Sequence, residues 1–83
     1  MSNAQNVLLN LHTLLSRLPV SFRERVCEEC NWSVPTFYRK VRLKDKEEDG
    51  QKVYALSNAE RAMIIKVLLE VCAALEEELE PYK

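Results

Sequence analysis

The sequence predicts an all-α fold, a four-helix domain containing a helix-turn-helix and carrying a long apolar C-terminal helix. Three observations lead there. Apolar residues recur at helical spacing near the start of the chain, Ser-x-x-Glu signals open two later segments, and one Gly and three Pro in 83 residues leave little of the chain for irregular structure.

Val7, Leu8, Leu11, Leu14, Leu15 and Leu18 share a helical period, so a first helix is expected from about Ala4 to Leu18, stopping before Pro19 and serving as core. Ser21 and Glu24 have the spacing of a capping box, which predicts a second helix from Phe22 to Cys30. A third helix follows from Ser33. Beyond Val41 the run RLKDKEEDGQK, with its Asp49-Gly50 turn signal, reads as a frayed helix end at about Lys46 and then a loop. A short wing, Arg42 to Lys46 against Lys52 to Leu56, is the alternative. Ser57 and Glu60 form another capping box, and the last helix should run from Asn58 to Glu80, ended by Pro81.

The stretch Val26 to Val41, VCEECNWSVPTFYRKV, keeps the register of a helix-turn-helix. Val26 supplies an apolar residue of the first helix and Cys27 a small one where the helices touch. Asn31 is a turn residue able to enter the left-handed region. Trp32 plugs the core below the turn, Ser33 stands at the N-cap, and Pro35 falls in the first turn, where a missing donor costs little. Phe37 and Val41, four apart, point inward. Ser33, Val34, Thr36, Arg39 and Lys40 are left for the outside.

The segment SVPTFYRKV resembles the recognition helix of tetracycline-repressor-type bacterial regulators, and also that of resolvases and transposases, where a Ser-x-x-Thr-aromatic-Tyr run opens the helix. The helix-turn-helix stretch is roughly a fifth of the 83 residues. Asn31 departs from the commoner Gly, and the rest of the chain is too short for the ligand-binding or catalytic domains of those families. The resemblance therefore implies a DNA-reading unit alone, with Ser33, Thr36, Tyr38 and Arg39 at positions that meet phosphates or base edges in such families.

Net charge is −1, but it is unevenly spread. From Arg17 to Lys46 eight Lys or Arg face four acids, a balance of +4, whereas from Glu47 to Lys83 four bases face nine acids, a balance of −5. Phosphates respond to the local patch, so a near-neutral total does not exclude DNA. The run Arg39, Lys40, Arg42, Lys44 and Lys46 suits a helix C-terminus on electrostatic grounds alone. Its position after Ser33, Thr36 and Tyr38 is what points to nucleic acid.

Between Ala62 and Leu75 only Lys66 and Glu70 are polar, so the last helix is apolar nearly all round. Either its own chain encloses it or a second copy does. The expectation is a homodimer interface over Ile64, Val67, Leu68, Val71 and Leu75, because a domain this small hides only about 60 to 65% of the surface its unfolded chain exposes.

Other chemistry is poorly supported. Cys27 and Cys30 form half a zinc signature, but only Cys72 and His12 remain as further N or S ligands, neither at finger spacing, so no metal is expected. The pair falls near a helix end rather than at the helix start that lowers a thiol pKa. His12 has no triad partners, and no paired acids or phosphate loop appears, so neither an enzyme nor a cofactor is expected. Three cysteines without a secretory signal suggest the cytoplasm, and the longest apolar stretch is too short to span a membrane.

One domain is thus expected over residues 1–83, with residues 19–46 reading DNA and residues 57–80 dimerising. Ser33, Thr36 and Tyr38 would position the third helix on the backbone, Val34 and Arg39 would face bases, and Lys40, Arg42 and Lys44 would neutralise phosphates. The expected function is sequence-specific binding of duplex DNA, as a small transcriptional regulator or an accessory factor of a mobile element, with no small-molecule ligand evident. The alternative is a protein-interaction module in which the helix-turn-helix is only packing.

Overall fold

The computed structural model describes residues 6–83, and the expected helix start at Ala4 lies outside them. The chain is predominantly helical. Helix α1 spans Val7–Ser16, α2 Leu18–Cys30, α3 Val34–Arg42 and α4 Asn58–Leu79. Strands β1 (Lys46–Glu48) and β2 (Gln51–Val53) lie between α3 and α4, and a 3-10 turn over Glu80–Tyr82 ends the chain. Because α1 and α2 are parted only by Arg17, which keeps helical angles (φ −84°, ψ −16°), they form one interrupted arm. Instead of four separate helices there are three helical bodies, the α1–α2 arm, α3 and α4.

The interruption falls where Pro19 dictates. A proline cannot donate to the carbonyl four residues back and its ring crowds that carbonyl, so the regular ladder fails at Leu15 and a new helix starts with Pro19 in its first turn. This corrects the expected capping box at Ser21: the Ser21 N–H already bonds the Arg17 carbonyl at 2.9 Å, and Ser21 lies inside α2. The start of α1 is closed instead by Asn6, whose Oδ1 accepts the Leu9 N–H at 2.8 Å.

α2 and α4 run antiparallel. Arg25 pairs with Glu70, and nearer the start of α2 Leu18 shares a cleft with Leu75. Their common face holds the core, Val26, Val67 and Val71, with Leu18, Phe22, Cys30, Trp32, Phe37, Met63 and Ile64 packed around it. This core is small for a chain 63 Å long. α1 contributes no buried residue, against expectation, and Leu8 remains 77% exposed. The arm carries α1 past the core, so its apolar side chains find few partners within the chain.

A hairpin is present in place of the expected loop, but it is shorter than the expected wing and displaced from it, with strands at Lys46–Glu48 and Gln51–Val53 rather than Arg42 to Lys46 and Lys52 to Leu56. Lys46 pairs with Val53, Glu47 with Lys52 and Glu48 with Gln51. Asp49 (φ 50°) and Gly50 (φ 76°) both take positive φ, the pattern of the two-residue turn that matches strand twist. Asp45 ties the hairpin to the approach of α4 by accepting the Ala55 N–H at 2.9 Å. At Ser57 both halves of the capping box form, Ser57 Oγ accepting the Glu60 N–H and Glu60 Oε1 accepting the Ser57 N–H, each at 3.0 Å.

Candidate nucleic-acid interface

The turn between α2 and α3 forms through three residues with distinct tasks. Asn31 takes the left-handed conformation (φ 57°, ψ 46°) that reverses the chain after α2. The Trp32 N–H then bonds the Cys27 carbonyl at 2.9 Å, and the Trp32 ring packs against the core. Ser33 caps α3 by accepting the Thr36 N–H at 3.2 Å, while its hydroxyl hydrogen points to Thr36 Oγ1 at 3.0 Å. The Thr36 hydroxyl hydrogen remains free to donate.

Phe37 seats α3 on the core and meets Phe22 edge to face, with ring centroids 6.5 Å apart. Lys40, three residues on, falls on this same inner side. Its Nζ lies 3.3 Å from Glu60 Oε2 and 5.5 Å from the centre of the Trp32 ring. This corrects its assignment as a phosphate clamp, since the ammonium is half-buried and already paired. Val41, expected inside, is 64% exposed. It lines an open groove of about 750 Å³ with Leu43, Tyr54 and Leu56, because α3 ends at Arg42 before any element covers this side.

The outer surface of α3 carries Val34, Pro35, Tyr38, Arg39 and Arg42, all exposed. Among the described residues Arg39, Arg42 and Lys44 form no ion pair, whereas Arg25 and Lys40 are each matched by a carboxylate. Sequence reasoning missed Arg23. Its Nη1 donates to Tyr38 Oη at 3.0 Å and its guanidinium lies 6.0 Å from the centre of that ring, so α2 braces the middle of α3. Tyr38 accepts in this bond and keeps its own hydrogen for another partner. Arg23 lies just before the 26–41 motif and 15 residues before Tyr38, and nothing in that spacing signals the pairing.

The hairpin adds little positive potential. Lys44, Lys46 and Lys52 stand beside Asp45, Glu47, Glu48 and Asp49, so acids gather at its tip. The cationic surface is therefore α3 and the residues just after it.

The expected dimer residues divide. Val67 and Val71 are 1% and 7% exposed and serve the chain's own core, with Ile64 packed against it and Leu75 half-buried. Of that set only Leu68 is exposed, at 48%. The reason is the helix period: the core takes Val67 and Val71, so the free stripe is Ile65, Leu68, Leu69 and Cys72.

Among the described residues no cluster of three His, Cys, Asp or Glu has metal-binding geometry, and no helix is long and apolar enough to cross a membrane. Burial pushes the Cys30 thiol above its ordinary pKa, which keeps it protonated and a poor nucleophile. No family model matches this chain, and no curated protein or solved structure does either.

Proposed function

We propose that this chain binds duplex DNA as a homodimer, laying α3 in the major groove, and acts as a small transcriptional regulator or an accessory factor of a mobile element. The observation that carries this reading is the division among the cations. Arg25 and Lys40, turned toward α4, are neutralised by carboxylates, while Arg39, Arg42 and Lys44 stand unpaired among the described residues on the outer side of α3 and beyond it. Positive charge at the end of α3 also suits the helix dipole; what favours DNA is its place on the exposed face beside the free hydroxyl hydrogens of Thr36 and Tyr38.

In this reading Thr36 and Tyr38 bind the phosphate backbone through hydroxyl hydrogens, Ser33 orients Thr36 by donating to its Oγ1, and Arg23 fixes the Tyr38 ring. Arg39 reaches guanine O6 and N7 with two donors, and Val34 offers an apolar contact to a thymine methyl. Arg42 and Lys44 neutralise phosphates.

Selection of binding sites from random duplexes, followed by anisotropy titration over a range of salt, tests the proposal. Expected is enrichment of one motif and a log–log salt slope of roughly −0.9 per neutralised phosphate. Absence of measurable binding at low salt would overturn it in favour of a protein-interaction module.

A further inference from the structure

The outward side of α4 is a short apolar stripe with a charge at each end. Ile65 and Leu68 are each 48% exposed, Leu69 is 66% exposed, and Cys72 is exposed beside them. Arg61 lies one turn before the stripe and Glu76 one turn after it, both exposed and on the same side of the helix. Neither forms an ion pair among the described residues.

The spacing of these residues is self-complementary. Placing an antiparallel copy of α4 with a two-fold axis between Leu68 and Leu69 sets each residue against the one equally far on the other side. Leu68 then faces Leu69, Ile65 faces Cys72, and Arg61 faces Glu76, every pair occurring twice. A parallel pairing instead sets Arg61 on Arg61 and Glu76 on Glu76, like charge against like. We infer that the occupant of this stripe is a second copy of the chain, bound antiparallel through α4 in this register, with two Arg61–Glu76 pairs closing its ends.

This gives the proposed dimer its interface and depends on that reading only for its use on DNA. Glu60, which holds Lys40 of α3, sits 17 positions from its opposite number across the axis, or about 26 Å at 1.5 Å per residue. The offset of each α3 from α4 adds to this. Two recognition helices in adjacent major grooves need about 34 Å.

Sedimentation equilibrium without DNA tests the interface, with circular dichroism confirming that each exposed-site variant stays folded. The unmodified chain is expected to associate reversibly at micromolar concentration. Arg61→Glu and Glu76→Arg should each raise the dissociation constant about tenfold, since each sets like charges together at both ends, and the double variant should recover most of that loss. Mild oxidation supplies the register. Ile65→Cys should form a covalent dimer with the native Cys72 of the other copy, and adding Cys72→Ser should abolish it. A monomeric protein, failure of the double variant to recover, or ready Cys72 cross-linking in the unmodified chain would each overturn the inference. DNA binding is read in a separate assay, so failure here is distinguishable from failure of the DNA-binding proposal.

Discussion

Lys40 of α3 and Glu60 of α4 join α3 to the body of the protein, Nζ standing 3.3 Å from Oε2 while the other carboxylate oxygen accepts the Ser57 N–H. One side chain thus closes the start of α4 and holds the end of α3. Hydrogen bonding from the Ser57 backbone, reinforced by Lys40, pulls the Glu60 carboxyl below its ordinary pKa despite partial burial.

A depressed folded-state pKa contributes stability that is present above the unfolded value, near 4.5. It is lost as pH falls through the lower folded value. Glu60→Gln should therefore flatten the acid limb of the stability profile below about pH 5. Glu60→Ala should cost about 1 kcal/mol at neutral pH and lower Tm by roughly 4 to 8 °C, because half of the capping box goes with it. Thermal melts across pH check both.

Asn31 offers a test of the turn. At φ 57° a β-branched side chain is strained, and glycine is not. Asn31→Val should destabilise the fold by roughly 1 to 2 kcal/mol, while Asn31→Gly should change it by less than about 1 kcal/mol. Urea denaturation of the two variants checks the contrast. Equal losses would mean that the Asn side chain, rather than its backbone angles, matters at the turn.

The small core concentrates sensitivity on few residues. Val67, 1% exposed between α2 and α4, has little surface to lose elsewhere, so Val67→Ala should cost roughly 1.5 to 3 kcal/mol. Val53→Ala in the hairpin, where the side chain is 46% exposed, should cost under about 0.5 kcal/mol. Denaturant midpoints with unchanged m-values would show that both act on the native state.

Local signals were legible wherever a few neighbouring residues decide the outcome. Asn31 in the left-handed region, Ser33 at the cap, the Ser57–Glu60 box and the Asp49-Gly50 turn all follow from short-range chemistry. Ser21 misled because the capping pattern is silent about Pro19 two residues earlier, which fixes the helix start first. The interior faces were harder. Val67 and Val71 lie in the run from Ala62 to Leu75, polar only at Lys66 and Glu70, so periodicity could not say which side α2 would take. The same limit hid Lys40: a cation beside Arg39 and Arg42 reads as one basic run until Phe37 fixes the inner face of α3.

That fixed face separates the roles that the proposed DNA binding gives to the cations. Arg39 is exposed on the outer side of α3, one turn past the capped start, and unpaired among the described residues. Arg39→Ala should cost roughly 1 to 3 kcal/mol on the preferred site and blur the preference at one base position. Lys44→Ala, beyond the helix end, should weaken all sequences alike and reduce the salt slope by about one unit. Lys40→Ala differs from both. Removing its half-buried ammonium leaves Glu60 without its partner, so the loss should appear in Tm before it appears in DNA affinity. Anisotropy titrations of the three variants on preferred and scrambled duplexes, at two salt concentrations, check the separation. Equal, sequence-independent losses from Arg39→Ala and Lys44→Ala would reduce Arg39 to a phosphate contact and leave base reading to other residues.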